Sequence, residues 1–308
     1  MAYTNMKTLL ADLKTLGKSY ANGTKGTSLN YIKTWKIGVI PPKAVYPMVA
    51  FVPRYETYGG YRNGGIYRVN RYVDIEVYSL NTTMINTGTI QSICTNTLEM
   101  FYDVAQPNNY KMLNDVSEPT VFHFEPGRIE YGNQMIEDQR IQRATIPMIF
   151  SSWEATPTTT VGTAVNDTSV KSIGEFIYET LKAETNLKSS KMLYSHNYPP
   201  FTIGEGNVIS VLENVDERNR RETGRDNPTG YIDIFVWSKL SPHESYLDLN
   251  MDVVENIKDA LQAIPTLGNR AYRSHFERVD YGVNMQALLY VSRLKFMTYS
   301  YNTLPQYA

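Results

Sequence analysis

The segment Tyr72-Val-Asp-Ile-Glu-Val-Tyr-Ser79 is nearly repeated as Tyr231-Ile-Asp-Ile-Phe-Val-Trp-Ser238, with five identities, one Val/Ile exchange and one Tyr/Trp exchange. In a chain of 308 residues this recurrence separates two stretches of roughly 150 residues, each long enough to bury its own core. The flanks follow the same order. An amphipathic helix precedes each copy, on Met6, Leu9, Leu10, Leu13 and Leu16 and on Val170, Ile173, Phe176, Ile177 and Leu181. Tyr46-Pro47 then opens one extended run and Tyr198-Pro199 the other. A second helical pattern follows each repeated strand, through Ile90, Ile93, Cys94, Leu98 and Phe101, and through Leu247, Met251, Val254, Ile257, Leu261 and Ile264. His123-Phe-Glu125 with Arg128–Gly132, and His275-Phe-Glu277 with Arg278–Gly282, come next, and only Pro126-Gly127 has no counterpart. Closing strands start at Arg143 and Arg293.

These patterns predict an α+β fold, a tandem duplication of one mainly antiparallel sheet domain with helices packed on one face. The first copy spans 1–150, a Ser/Thr/Pro-rich linker 151–168, and the second copy 169–308. In the repeated strand Val73, Ile75 and Val77 alternate with Tyr72, Asp74, Glu76 and Tyr78, so the aliphatic set faces the helices. On the opposite face the second copy carries Tyr231, Asp233, Phe235 and Trp237, apolar enough to call for a covering partner. Tyr78, Phe235 and Trp237 are therefore candidate interface residues.

Two further segments are long for the connections they occupy. One carries Tyr55, Tyr58, Tyr61, Arg62, Tyr67 and Arg68, a Tyr/Arg composition typical of interface anchors and read here as a docking arm. The other, 214–227, holds Arg218, Arg220, Arg221 and Arg225, and a solvated loop competes with a docking role.

Reactive chemistry is sparse. Gly17-Lys18-Ser19 lacks the first glycine of a phosphate loop, where Asp12 stands, and follows a helix rather than a strand. Gly204-Glu-Gly206 is a turn rather than a dinucleotide fingerprint. The two His-x-Glu pairs place both side chains on one strand face, yet two ligands do not close a tetrahedral metal site. No nucleophile stands in a triad-like context, so no catalytic residue, cofactor or metal is expected, and the chain does not read as an enzyme. Lys and Arg number 30 against 31 Asp and Glu, for a net charge of −1, without the basic excess of a phosphate-gripping protein. The single cysteine, Cys94, suits a reducing cytoplasm and a buried thiol. The N-terminus reads as an amphipathic helix rather than a signal peptide, and no apolar run approaches the roughly 20 residues of a membrane span, so a protein working in solution is expected.

The order helix, "YP" strand, polar loop, Y-x-D-I-x-V-[YW]-S strand, helix and closing strand after an arginine resembles the phage tail terminator and tail-completion proteins. The pattern falls at Tyr46-Pro47, Tyr72–Ser79 and Arg143–Phe150, and again at Tyr198-Pro199, Tyr231–Ser238 and Arg293–Ser300. The resemblance implies a virion protein, assembled in the host cytoplasm, whose homo-oligomeric ring caps the tail tube and joins it to the head connector or neck. It implies six copies, or three forming a pseudo-six-fold ring, and genomic DNA passing through the lumen without specific binding. Members commonly carry one such domain, whereas this chain carries two. A two-domain ligand-binding or adaptor module is the alternative from a different class.

Overall fold

A computed structural model describes residues 4–21, 29–38, 44–62, 66–80, 87–105, 121–136, 139–155, 172–195, 206–215, 229–240, 244–268, 270–271 and 273–299. They divide between two compact units, the first comprising Met1–Ala155 with Pro242–Glu244 and the second Thr156–Ser241 and Ser245–Ala308. The fold is α+β, with four α-helices among the described residues and mainly antiparallel sheet.

In the first unit α1 (Met6–Ala21) starts where the Asn5 side chain accepts a bond from the Thr8 amide at 2.8 Å, and Met6, Leu9, Leu10, Leu13 and Leu16 form its buried stripe. It lies on β1 (Thr34–Ile37) and β2 (Met48–Arg62). Gly17 is what allows this approach, because a Cβ there would collide with the Trp35 indole. β2 turns back antiparallel as β3 (Ile66–Leu80), and α2 (Thr87–Ala105) packs on β3 and beside α1. β4 (His123–Pro126) and β5 (Glu130–Ile136) both pair with β6 (Gln139–Ala155), whose other edge pairs with β3. Val73, Ile75 and Val77 are fully buried, as the alternation predicts for the helix-facing side.

The second unit begins with α3 (Ile173–Ala183), capped by the Ser172 hydroxyl accepting from the Glu175 amide at 3.1 Å. After a 3-10 turn at Thr185–Leu187, β7 (Lys191–Tyr194) pairs with β8 (Val208–Val215), followed by β9 (Thr229–Lys239) and α4 (Glu244–Gln262). β10 (Arg273–Asn284) and β11 (Leu289–Tyr299) complete the order β7-β8-β9-β11-β10. Asn250 fastens α4 to the sheet: its amide nitrogen donates to the Ser238 hydroxyl at 2.8 Å, and its amide oxygen accepts from the Ser292 hydroxyl at 2.5 Å.

The registers of the two units run in step. Thr34, Met48 and Tyr78 lie abreast in β1, β2 and β3, and Ile37, Phe51 and Ile75 three residues along. Lys191, Val208 and Trp237 lie abreast in β7, β8 and β9, and Tyr194, Val211 and Ile234 three residues along. In both units the leading pair is parallel, a pair of four-residue strands that the periodicities do not signal.

Several expectations need correction. The Tyr/Arg segment is not a loop: β2 continues to Arg62 and β3 starts at Ile66, so it forms the outer half of one long hairpin. The register puts Gly206-Asn207, not Tyr198-Pro199, opposite the place of Tyr46-Pro47, and Tyr198-Pro199 lies outside the described residues. Arg143 pairs with Tyr78 whereas Arg293 pairs with Phe235, so the two arginines differ by two positions. Pro126-Gly127 accounts for the split of β4 from β5, where β10 runs on through a bulge at Glu277. β6 extends to Ala155, five residues into the segment read as linker.

Candidate functional site

The face of the sheet turned away from the helices holds most of the charged and aromatic candidates. In the first unit a β-bulge between Pro53 and Tyr55 makes Arg54 an extra residue and directs it to this face. Arg54 Nε lies 2.6 Å from Asp74 Oδ2, and Arg143 Nη2 lies 2.6 Å from Glu76 Oε1. Tyr78 donates its hydroxyl to Glu76, and burial together with that carboxylate pushes its pKa well above the usual phenol value. Burial works against the charge on Arg143, but neighbouring Glu76 outweighs it and raises the pKa. Arg54 and Arg143 are each about two-fifths exposed, so these pairs orient side chains more than they stabilise the fold.

Beside this cluster Tyr55 stacks on Tyr72, with ring centroids 4.0 Å apart. The stack forms one wall of an open cavity of about 260 Å³ that Pro126, Gly127, Pro147 and Ile149 line on other sides, together with Arg54, Asp74 and Glu125. Glu125 is exposed and has no ion-pair partner among the described residues.

In the second unit Asp233 occupies the place of Asp74 in register and is held from both sides. Arg293 grips it through two bonds, Nε to Oδ1 at 3.0 Å and Nη2 to Oδ2 at 2.8 Å, and the Asn214 amide adds a third at 2.6 Å. This hydrogen bonding holds the Arg293 pKa above its ordinary value. Arg293 lies over the Phe235 ring at 5.8 Å and Lys295 over Tyr231 at 4.4 Å. Phe235 and Trp237 stack at 5.6 Å with nearly parallel planes.

The structure sorts the candidate interface residues. Tyr78 and Trp237 are 1% and 2% exposed, so they are packing residues rather than presented ones. Tyr78 lies in a small cluster with Met48 and Ile141, and Trp237 in one with Val208 and Leu289, at matching positions in the two registers. Phe235 is half-buried. Tyr55, Tyr58 and Tyr67 are also half-buried, Tyr58 meeting Tyr67 edge-on at 6.4 Å. Arg68 is exposed with its guanidinium 5.5 Å from the Phe122 ring centre. Tyr61 and Arg62 pair with Tyr67 and Ile66 along the backbone. Arg218, Arg220, Arg221 and Arg225 lie outside the described residues.

Each His-x-Glu pair has its own surroundings within its unit. His123 and Glu125 are exposed on β4. His275 stacks on Tyr299 at 5.8 Å, and burial, reinforced by Arg273, lowers its pKa. Glu277 pairs with Lys295 at 2.9 Å. Among the described residues no group of three or more His, Cys, Asp or Glu is placed to hold a metal ion. Cys94 is fully buried in α2, and burial pushes its thiol up to about 12. A thiol reagent at pH 8 is therefore expected to label none of the native protein and one cysteine per chain after denaturation; rapid labelling of the folded chain would contradict this burial.

Two further features emerge only from the fold. On the helix-facing side Arg71 is fully buried, with Nε 2.9 Å from Glu56 Oε1 and further bonds to Glu154 and Ser152. Its signal is an arginine in step with Val69, Val73 and Ile75. The second feature is a pair of apolar hairpin tips: Met135 in β5 is 65% exposed and Met285, beyond β10, is 64% exposed. They occupy the same place relative to Gly132 and Gly282, which lie opposite Arg143 and Val291. No protein-family model and no curated protein sequence matches this chain.

Proposed function

We propose that the protein is a structural ring component of a phage tail or neck, capping the tail tube and joining it to the head connector, with no catalytic role. The observation that carries this reading is the step-for-step register of β1-β2-β3 and β7-β8-β9. It sets the repeated Y-x-D-I-x-V-[YW]-S motif on the same strand of two similar sheets, which supports reading the chain as a duplicated tail-terminator domain. Duplication lets n subunits present 2n similar positions, and a six-fold tail is met by six copies with twelve domains or by three copies in a pseudo-six-fold ring. Six copies are favoured because the units have diverged: Glu76 stands where the second unit has Phe235, and the buried Arg71 stands where it has Gly230. The long β2–β3 hairpin is the element suited to reach a neighbour, and a net charge of −1 suits a lumen through which DNA slides.

Mass photometry of the purified protein, with symmetry averaging of particles formed beside its tail proteins, tests the reading. A species of six chain masses is expected. A chain that stays monomeric at tens of micromolar, with no ring seen alongside those proteins, would overturn it. The ligand-binding alternative has the cavity of the first unit in its favour, but at about 260 Å³ it falls below the roughly 300–1,000 Å³ of small-molecule sites.

A further inference from the structure

The cavity beside Tyr55 and Tyr72 is too small for a typical ligand, yet its walls are aromatic and prolyl, which suits one or two apolar side chains. The same chain carries such side chains unpartnered at the β10–β11 turn. Met285 and Leu288 are 64% and 59% exposed on the four turn residues 285–288, and Val283, paired with Tyr290 at the end of β10, is 36% exposed beside them. The turn is tied at both ends: the Asn284 side chain accepts from the Ala287 amide at 3.0 Å, and the Leu240 amide donates to the Leu288 carbonyl at 2.8 Å. A projecting apolar tip and an apolar hollow at different places on one chain make a contact that runs head to tail and closes into a ring when the rotation permits.

Charge selects which tip enters. The hollow is lined by Glu125, exposed and without an ion-pair partner among the described residues, whereas Arg54 is already engaged with Asp74. Beside the β10–β11 turn stands Lys239, opposite Leu289 in register, exposed and likewise without an ion-pair partner among the described residues. The corresponding tip of the first unit carries Glu137-Asp138 in its sequence, which Glu125 would repel. We infer that the β10–β11 tip of one copy, through Met285 and Leu288, seats in the Tyr55/Tyr72 hollow of a second copy, with Lys239 set against Glu125. This contact deepens the ring reading and rests on it.

The test uses the full chain and mass photometry over a dilution series. Met285→Asp, at an exposed position, should leave the thermal melt unchanged and weaken self-association by about 30-fold or more, as loss of an interface anchor does. Lys239→Glu and Glu125→Lys should each weaken assembly, and their combination should restore it. Protein carrying only Met285→Cys, mixed with protein carrying only Glu125→Cys, should form the mixed disulfide. If the wild-type chain assembles and Met285→Asp assembles equally well, this contact is wrong while the ring reading stands. Disulfides between two Met285→Cys chains in preference to the mixed pair would overturn it in favour of a symmetric tip-to-tip contact. A wild-type chain that never assembles would overturn both.

Discussion

Replacing Arg71 with methionine is expected to destabilise the protein by about 3–5 kcal/mol, because it leaves buried carboxylates without the cation that compensates them. The Arg71 and Glu56 side chains are both fully buried, and Glu154 is 10% exposed. The guanidinium fork spans three strands, from Glu56 in β2 to Ser152 and Glu154 in β6, and the Tyr58 hydroxyl donates to Glu56 at 3.0 Å. Removing the fork therefore strands acceptors on both sides of β3. For a unit of this size the melting temperature should fall by roughly 10 °C or more, followed by circular dichroism. Arg71→Lys should fall between the two, since one ammonium cannot reproduce two directed pairs. A methionine variant melting within a degree or two of the parent would refute this account of the cluster.

How legible the fold was depended on the range over which each signal acts. Helix and strand periodicities are local, and they placed α1, α2, α3, α4 and the buried side of β3 correctly. β1 and β7 leave no such signal, because four residues cannot display a period and a parallel partner leaves no turn signal nearby. Gly59-Gly60 and Gly64-Gly65 are turn residues, so the sequence of the outer β2–β3 hairpin looks like a loop. The register instead absorbs Gly59-Gly60 in an irregularity between Tyr58 and Tyr61, after which Tyr61 pairs with Tyr67. Residue type alone equates Arg143 with Arg293. Because their true offset is two, both still fall on the same face, and alternation alone could not expose the slip.

The site was legible in its residue types and less so in its burial. Asp74 and Asp233 were correctly placed away from the helices, and each carries a cation from a neighbouring strand. The source of that cation differs: in the first unit it is the bulge residue Arg54, and in the second it is Arg293 on the opposite neighbour. A bulge is a property of strand pairing, so no reading of one strand reveals it. The exposed Met135 and Met285 carry no sequence signal for a related reason, since methionine is ordinarily a core residue and only the register places both at hairpin ends.

Trp237 separates a packing role from a docking role, and Trp237→Ala is expected to cost the isolated chain about 3–5 kcal/mol. On sequence alone its strand face looks open, because Tyr231, Asp233 and Phe235 share it. The fold closes one end of that face by bringing Val208 from β8 and Leu289 from β11 against the indole, with Leu193, Phe235 and Val291 packed around them. The same arrangement recurs in the first unit, where Met48 and Ile141 close over Tyr78. Two satellite cores at matching register indicate that the aromatic at this position braces the end of the sheet where the short parallel strand joins. An interface residue would behave otherwise: its replacement would leave the melt of the dilute chain unchanged and reduce only assembly. Phe235→Ala, at a half-buried position, should lower the melt less than Trp237→Ala. Should Trp237→Ala melt like the parent in dilute solution yet fail to assemble, the indole belongs to a contact between chains and the packing role falls.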